Sequence, residues 1–88
     1  MNQLNVSLSN QGIFELSGDL TFATIDRKTP ALCDFNRIQG QIIIDLTAII
    51  ETDSAGLALL IEWLKQADTL QRQIEFRQLP PQLIALAE

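Results

Sequence analysis

Residues 42–61 read IIIDLTAIIETDSAGLALLI, and this stretch decides the fold. Gln41 to Leu46 is a β-branched run without polar alternation, the pattern of a central strand covered on both faces. After a short connection, Asp53-Ser54 opens a helix that runs to about Leu70, because Leu57, Leu60, Ile61 and Leu64 fall at i, i+3, i+4 and i+7 and form one apolar stripe. The stripe is expected to face the strand, so strand and helix define one layer boundary. Leu59, Trp63, Ala67 and Leu70 lie to one side of it and widen the apolar arc beyond what a single packed face needs.

Upstream, Leu4, Val6 and Leu8 alternate with polar neighbours, and Phe14 and Leu16 do so again after Asn10-Gln11-Gly12, which reads as a β-hairpin closed by a tight turn. Gly18-Asp19 ends the second strand. Phe22, Ile25, Leu32, Phe35 and Ile38 then follow at loosely helical spacing over residues 21–38, with Thr29-Pro30 either capping a shorter helix or kinking a longer one. Downstream, Ile74 and Phe76 share one face of a short strand over residues 73–78, and Leu79-Pro80-Pro81 breaks the chain before a last apolar turn over residues 82–87. The order is β-β-α-β-α-β-α, an α/β fold with helices on at least one side of the sheet and cover of some kind on the other. No linker or repeat divides the chain, so residues 1–88 are expected to form a single domain.

At 88 residues, 47% hydrophobic and 19% charged, the chain has the composition of an ordinary globular domain. No apolar run reaches the roughly 20 residues of a membrane-spanning helix, and Met1 to Ser9 lacks the features of a secretory signal, so the cytoplasm is the expected compartment. Cys33 is the single cysteine and reads as a small core residue. A formal charge of -5 disfavours nucleic acid and direct adhesion to anionic lipid. The chain has no histidine, which removes the commonest general base and the commonest nitrogen ligand for metals. The glycines at 12, 18, 40 and 56 are too scattered for a phosphate cradle. Carboxylate pairs such as Asp19 with Asp26, or Glu51 with Asp53, read as solvated loop and capping groups. No cofactor, metal or enzymatic chemistry is expected; the expected function is docking onto a protein.

A strand ending in Asp45-Leu46, followed by Asp53-Ser54-Ala55-Gly56-Leu57 at a helix start, resembles the signature of the STAS domain (sulfate transporter and anti-sigma-factor antagonist). Gly18-Asp19-Leu20-Thr21 resembles that family's earlier strand-to-helix connection. The resemblance implies a mixed four-stranded sheet with helices packed mainly on one face. Gly56-Leu57-Ala58-Leu59-Leu60 is similar to the GLALL stretch of the STAS subunit of the Mla phospholipid ABC transporter, which maintains outer-membrane lipid asymmetry. That likeness implies a cytoplasmic accessory subunit that binds the transporter's ATPase and meets the membrane only through the complex. The Asp53-Ser54 pair is closer to the anti-sigma-factor antagonists, where the matching serine is phosphorylated by a partner kinase.

Independently of any family, Asp53 can accept the orphan amides of the first helical turn, and Ser54 sits where the positive end of the helix dipole emerges. A phosphoryl group on Ser54 would be stabilised there and would place about two negative charges on any surface docked at that point. The candidate partner-binding residues are Asp53, Ser54, Ala55 and Gly56, with Leu59 and Trp63 extending the contact along the helix, Trp63 because tryptophan is enriched at binding hot spots. The alternatives are that Asp53 and Ser54 serve as capping chemistry alone and that Trp63 packs under residues 83–86 to complete the core. Leu70 is assigned to packing beneath the final segment.

Overall fold

The structure is a computed structural model that describes residues 1–87. Four strands, β1 (Asn5–Leu8), β2 (Ile13–Leu20), β3 (Ile42–Thr52) and β4 (Ile74–Arg77), lie in the order β1-β2-β3-β4. β1 and β2 pair antiparallel, while β3 is parallel to both β2 and β4, so the sheet is mixed. Helix α1 (Ser54–Thr69) crosses from β3 to β4, and a short helix α2 (Pro81–Ala87) packs beside it.

The core forms because alternate residues of the two central strands point the same way. Phe14, Leu16 and Leu20 of β2 and Ile42, Ile44 and Leu46 of β3 meet Leu59, Leu60, Trp63 and Ala67 of α1 and Leu83 of α2 in one buried cluster, which Cys33 and Phe35 complete. The opposite face of the sheet carries the cross-strand row Ser7, Glu15, Asp45, Arg77. Among these, only Asp45 is even half-buried. The expected cover on that side is therefore missing among the described residues. Ile43, flanked in the sheet by Ile13 and Glu75, remains half-buried.

Residues 21–38 depart from the expected helix and form two 3-10 turns, Thr29–Leu32 and Phe35–Arg37. Short polar side chains have captured the backbone amides that an α-helix would have used. The Asp26 amide donates to Thr29 Oγ1 at 2.9 Å, the Lys28 amide to Asp26 Oδ1 at 2.8 Å, and the Asn36 amide to Asp34 Oδ1 at 3.0 Å. Apolar spacing in this segment reflects a loop laid over the sheet, with Ile25, Cys33, Phe35 and Ile38 turned inward. Phe35 meets Phe14 with ring centroids 6.0 Å apart. Arg72, just before β4, fastens the loop's far end: its guanidinium donates to the carbonyls of Phe35, Ile38 and Gly40 at 2.6–3.0 Å.

The helix stripe is rotated from the expected one. Gly56, Leu59, Leu60, Trp63 and Ala67 are the residues α1 buries, whereas Ile61 and Leu64 are exposed. With Leu57, these two line a shallow apolar cleft of about 320 Å³, whose other wall is Phe76, Leu79, Leu83 and Ile84. The rotation follows from Trp63, whose large ring occupies the centre of the sheet-facing side and carries the smaller leucines round with it.

Candidate functional site

β2 and β3 end side by side at the rung Leu20–Thr52, and the chain leaves each strand at the same end of the sheet. Two residues beyond that rung stand Phe22 on one strand exit and Ser54 on the other. Asp53 joins the two exits. Its extended backbone (φ -147°, ψ -168°) makes it the N-cap of α1. Oδ1 accepts the amides of Ala55 at 2.9 Å and Gly56 at 3.3 Å, and Oδ2 accepts the amide of Phe22 at 3.0 Å. The expected capping role is present, and the bond to Phe22 adds a second one that spans 31 residues.

These bonds, that from the Phe22 amide foremost, hold the Asp53 carboxyl below its ordinary value of 3.8. A depressed carboxylate stabilises the fold at pH values above its unfolded-state pKa, and that contribution disappears as pH falls through the lower folded-state value. Asp26 and Asp45 are lowered in the same direction by bonds to Lys28 and Thr47. The melting temperature should accordingly fall as pH drops below about 4, and Asp53→Asn should make that fall shallower without abolishing it. Thermal melts across this range, wild type against variant, measure it; identical slopes would mean that Asp53 is not clamped in solution.

Ser54 is exposed at the first position of α1, Ala55 is half-buried and Gly56 is buried. Gly56 serves fit rather than contact: a Cβ there would lie 2.4 Å from the Leu20 carbonyl oxygen. Leu59 and Trp63, expected on the contact surface, belong instead to the core, with exposures of 4% and 0%. Trp63 Nε1 donates to the Pro30 carbonyl at 3.0 Å, so even its polar edge is used internally. Leu70, assigned to the core, is the exposed one. The first correction follows from the rotated helix stripe; Leu70 lies past the end of α1, as its C-cap, and escapes the core there.

The Gly18-Asp19-Leu20-Thr21 stretch is a brace beneath this site. Gly18, at φ +93°, lets the N-terminal segment pass so close that a Cβ would meet Gln3 O at 2.0 Å. Asp19 is buried, not solvated, and accepts the amide of Asn2 at 2.9 Å and its Nδ2 at 3.3 Å. Thr24 Oγ1 donates to Asp19 O at 2.7 Å and accepts from the Thr21 amide at 3.1 Å, which closes the loop that carries Phe22. Phe22 fits the spacing of the expected helix, and that spacing does not distinguish it as a contact residue. The signal that marks it is its place directly after that brace, between Thr21 and Ala23-Thr24.

A four-stranded mixed sheet with helices on one face, a capped helix start and an exposed hydroxyl beside it define an α/β module of the STAS type; among the described residues no helix is long and apolar enough to cross a membrane. The family model described as "Mlab, STAS domain" matches residues 6–88, and the chain belongs to that family. The fold is similar to that of the anti-sigma factor antagonist SpoIIAA in its unphosphorylated form, with a TM-score of 0.66 at 13% identity over 94% of this chain and 79% of that one. No curated protein matches the chain by sequence.

Proposed function

We propose that this protein is a non-catalytic accessory subunit that docks onto the ATPase of an Mla-type ABC phospholipid transporter through the start of α1, and supports the ATPase's assembly and activity. The observation that carries this reading is the match of residues 6–88 to the Mlab-type STAS family, together with a helix start in which Ser54 is exposed beside the capped amides. Asp53, Ser54 and Ala55 form the contact loop, and Gly56 seats it against β2. Contact with the membrane is indirect, on the cytoplasmic face of the inner membrane through the complex. The acidic balance of the chain, -5, is in keeping with attachment through protein rather than through anionic lipid.

A second reading, an anti-sigma-factor antagonist switched by phosphorylation, draws on the Asp53-Ser54 pair, which leaves a hydroxyl at the positive end of a helix.

Ser54→Glu separates the contact from the fold. A carboxylate in the first helical turn is compatible with the helix dipole, so the variant should fold like wild type. At a docked interface the longer side chain has to be accommodated where a serine fitted and its charge is taken out of water, and binding should fall at least ~10-fold. A tagged pull-down from native membranes with both chains, read by mass spectrometry, is the test. Recovery of an ABC ATPase and its permease, lost with Ser54→Glu, supports the transporter subunit. Recovery of a soluble serine kinase instead supports the switch, and equal recovery of the ATPase by both chains places the interface elsewhere.

A further inference from the structure

We infer that Phe22 is the anchor of the docking surface, a side chain that inserts into an apolar pocket with a cationic rim on a protein partner, and that Asp53 positions it. The inference rests on the docking reading above and names the chemistry of its partner.

Phe22 is 83% exposed, while Phe14 and Phe35 are buried in the core and Phe76 is half-buried. A lone exposed aromatic needs no explanation in general, but this one is held. The amides of Thr24 and Ile25 both donate to Thr21 O at 3.0 Å, the Thr21 amide donates to Thr24 Oγ1 at 3.1 Å, and the Phe22 amide is fixed on Asp53 Oδ2 at 3.0 Å. A side chain presented on an already ordered turn loses little further freedom on binding, which is the condition for an efficient anchor. Aromatic anchors of this kind carry a disproportionate share of interface affinity.

The charge pattern supplies the partner's character. No Lys or Arg occurs in residues 1–26 or 38–64, the two segments that build this end of the sheet. Those segments carry the exposed Glu51 next to the 59% exposed Ile50, and Asp53 itself. On the side of β3 and the start of α1 the border of this apolar knob is acidic, which is complementary to a Lys or Arg rim on the partner there; Arg27 and Lys28 lie further along the Phe22 loop. The same border is repelled by an anionic leaflet, which disfavours insertion of Phe22 into lipid.

The test is a direct titration of the purified, full-length chain against the purified transporter ATPase, with wild type, Phe22→Ser, Phe22→Leu, Ser54→Glu, Asp53→Asn and the double variant Asp53→Asn/Phe22→Ser. Phe22→Ser should lower affinity ~10- to 100-fold with an unchanged melting temperature, and Phe22→Leu should recover part of the loss. Asp53→Asn keeps one acceptor oxygen for the helix amides and loses the one for Phe22, so affinity should fall several-fold in the wild-type background and clearly less in the Phe22→Ser background, where only the Asp53 charge remains to be lost; equal losses in both backgrounds overturn the positioning role. Wild-type affinity for Phe22→Ser, with binding lost in Ser54→Glu, overturns the anchor and leaves the docking reading standing. Absence of binding by wild type overturns both. Flotation with phosphatidylethanolamine–phosphatidylglycerol vesicles is run alongside, and Phe22-dependent flotation would overturn the protein pocket in favour of lipid.

Discussion

Trp63→Ala is expected to unfold the protein or bring it close to unfolding, without acting as a selective binding defect. Trp63 is the largest fully buried side chain, and its indole nitrogen holds the Pro30 carbonyl at 3.0 Å. Truncating a buried tryptophan costs ~3–5 kcal/mol through lost burial and the cavity left behind. Two groups add to the cost here. The Pro30 carbonyl loses its partner, and the 3-10 turn at Thr29–Leu32, which the indole pins to α1, loses its anchor. A chain of this length has a total stability of about 4–13 kcal/mol, so the loss is a large share of the whole. Urea unfolding followed by circular dichroism should show the midpoint fall by a third or more, with Trp63→Phe intermediate because it keeps most of the volume and loses only the donor. Wild-type stability in Trp63→Ala combined with weakened ATPase binding would return the residue to the surface.

The strands were legible because each has a β pattern: Val6 and Leu8 alternate, Phe14 and Leu16 alternate, and Ile42 to Ile44 is an apolar β-branched run, although the cover this run implied on the second face is missing among the described residues. Helix α1 was equally legible, with Asp53 as its cap and Gly18-Asp19 marking the other strand exit. Rotation of α1 about its axis was not legible. An arc that includes Leu57, Leu59, Leu60, Ile61, Trp63, Leu64 and Ala67 spans more than half the helix, and its centre depends on which neighbours fill the remaining space. Trp63 settles that only in three dimensions, where the loop carrying Pro30 supplies a carbonyl for it. Residues 21–38 failed for the complementary reason, since apolar spacing alone does not reveal that Asp26, Thr29 and Asp34 will take the backbone amides. Phe22 belongs to the same segment: its spacing fits a helix face, whereas the turn that holds it outward is made by Thr21 and Thr24.

Gly56→Ala should destabilise the protein by ~1–3 kcal/mol, although alanine is the better helix former by ~1 kcal/mol. The opposing term is steric. The new Cβ would sit 2.4 Å from the carbonyl oxygen of Leu20 and 3.2 Å from Leu20 Cγ. The closest of these is backbone, held in the sheet by pairing with Thr52 and buried with its own side chain in the core, so it has little room to yield. Relief therefore comes by moving the first turn of α1 away from β2. That displacement pulls Asp53 from the Phe22 amide and carries Ser54 with it, so ATPase binding should fall together with stability, unlike Phe22→Ser, where only binding changes. Thermal melts and titrations on the same samples distinguish the two. A raised melting temperature in Gly56→Ala would mean that helix propensity outweighs the clash and that the close approach of α1 to β2 is not what seats the docking loop.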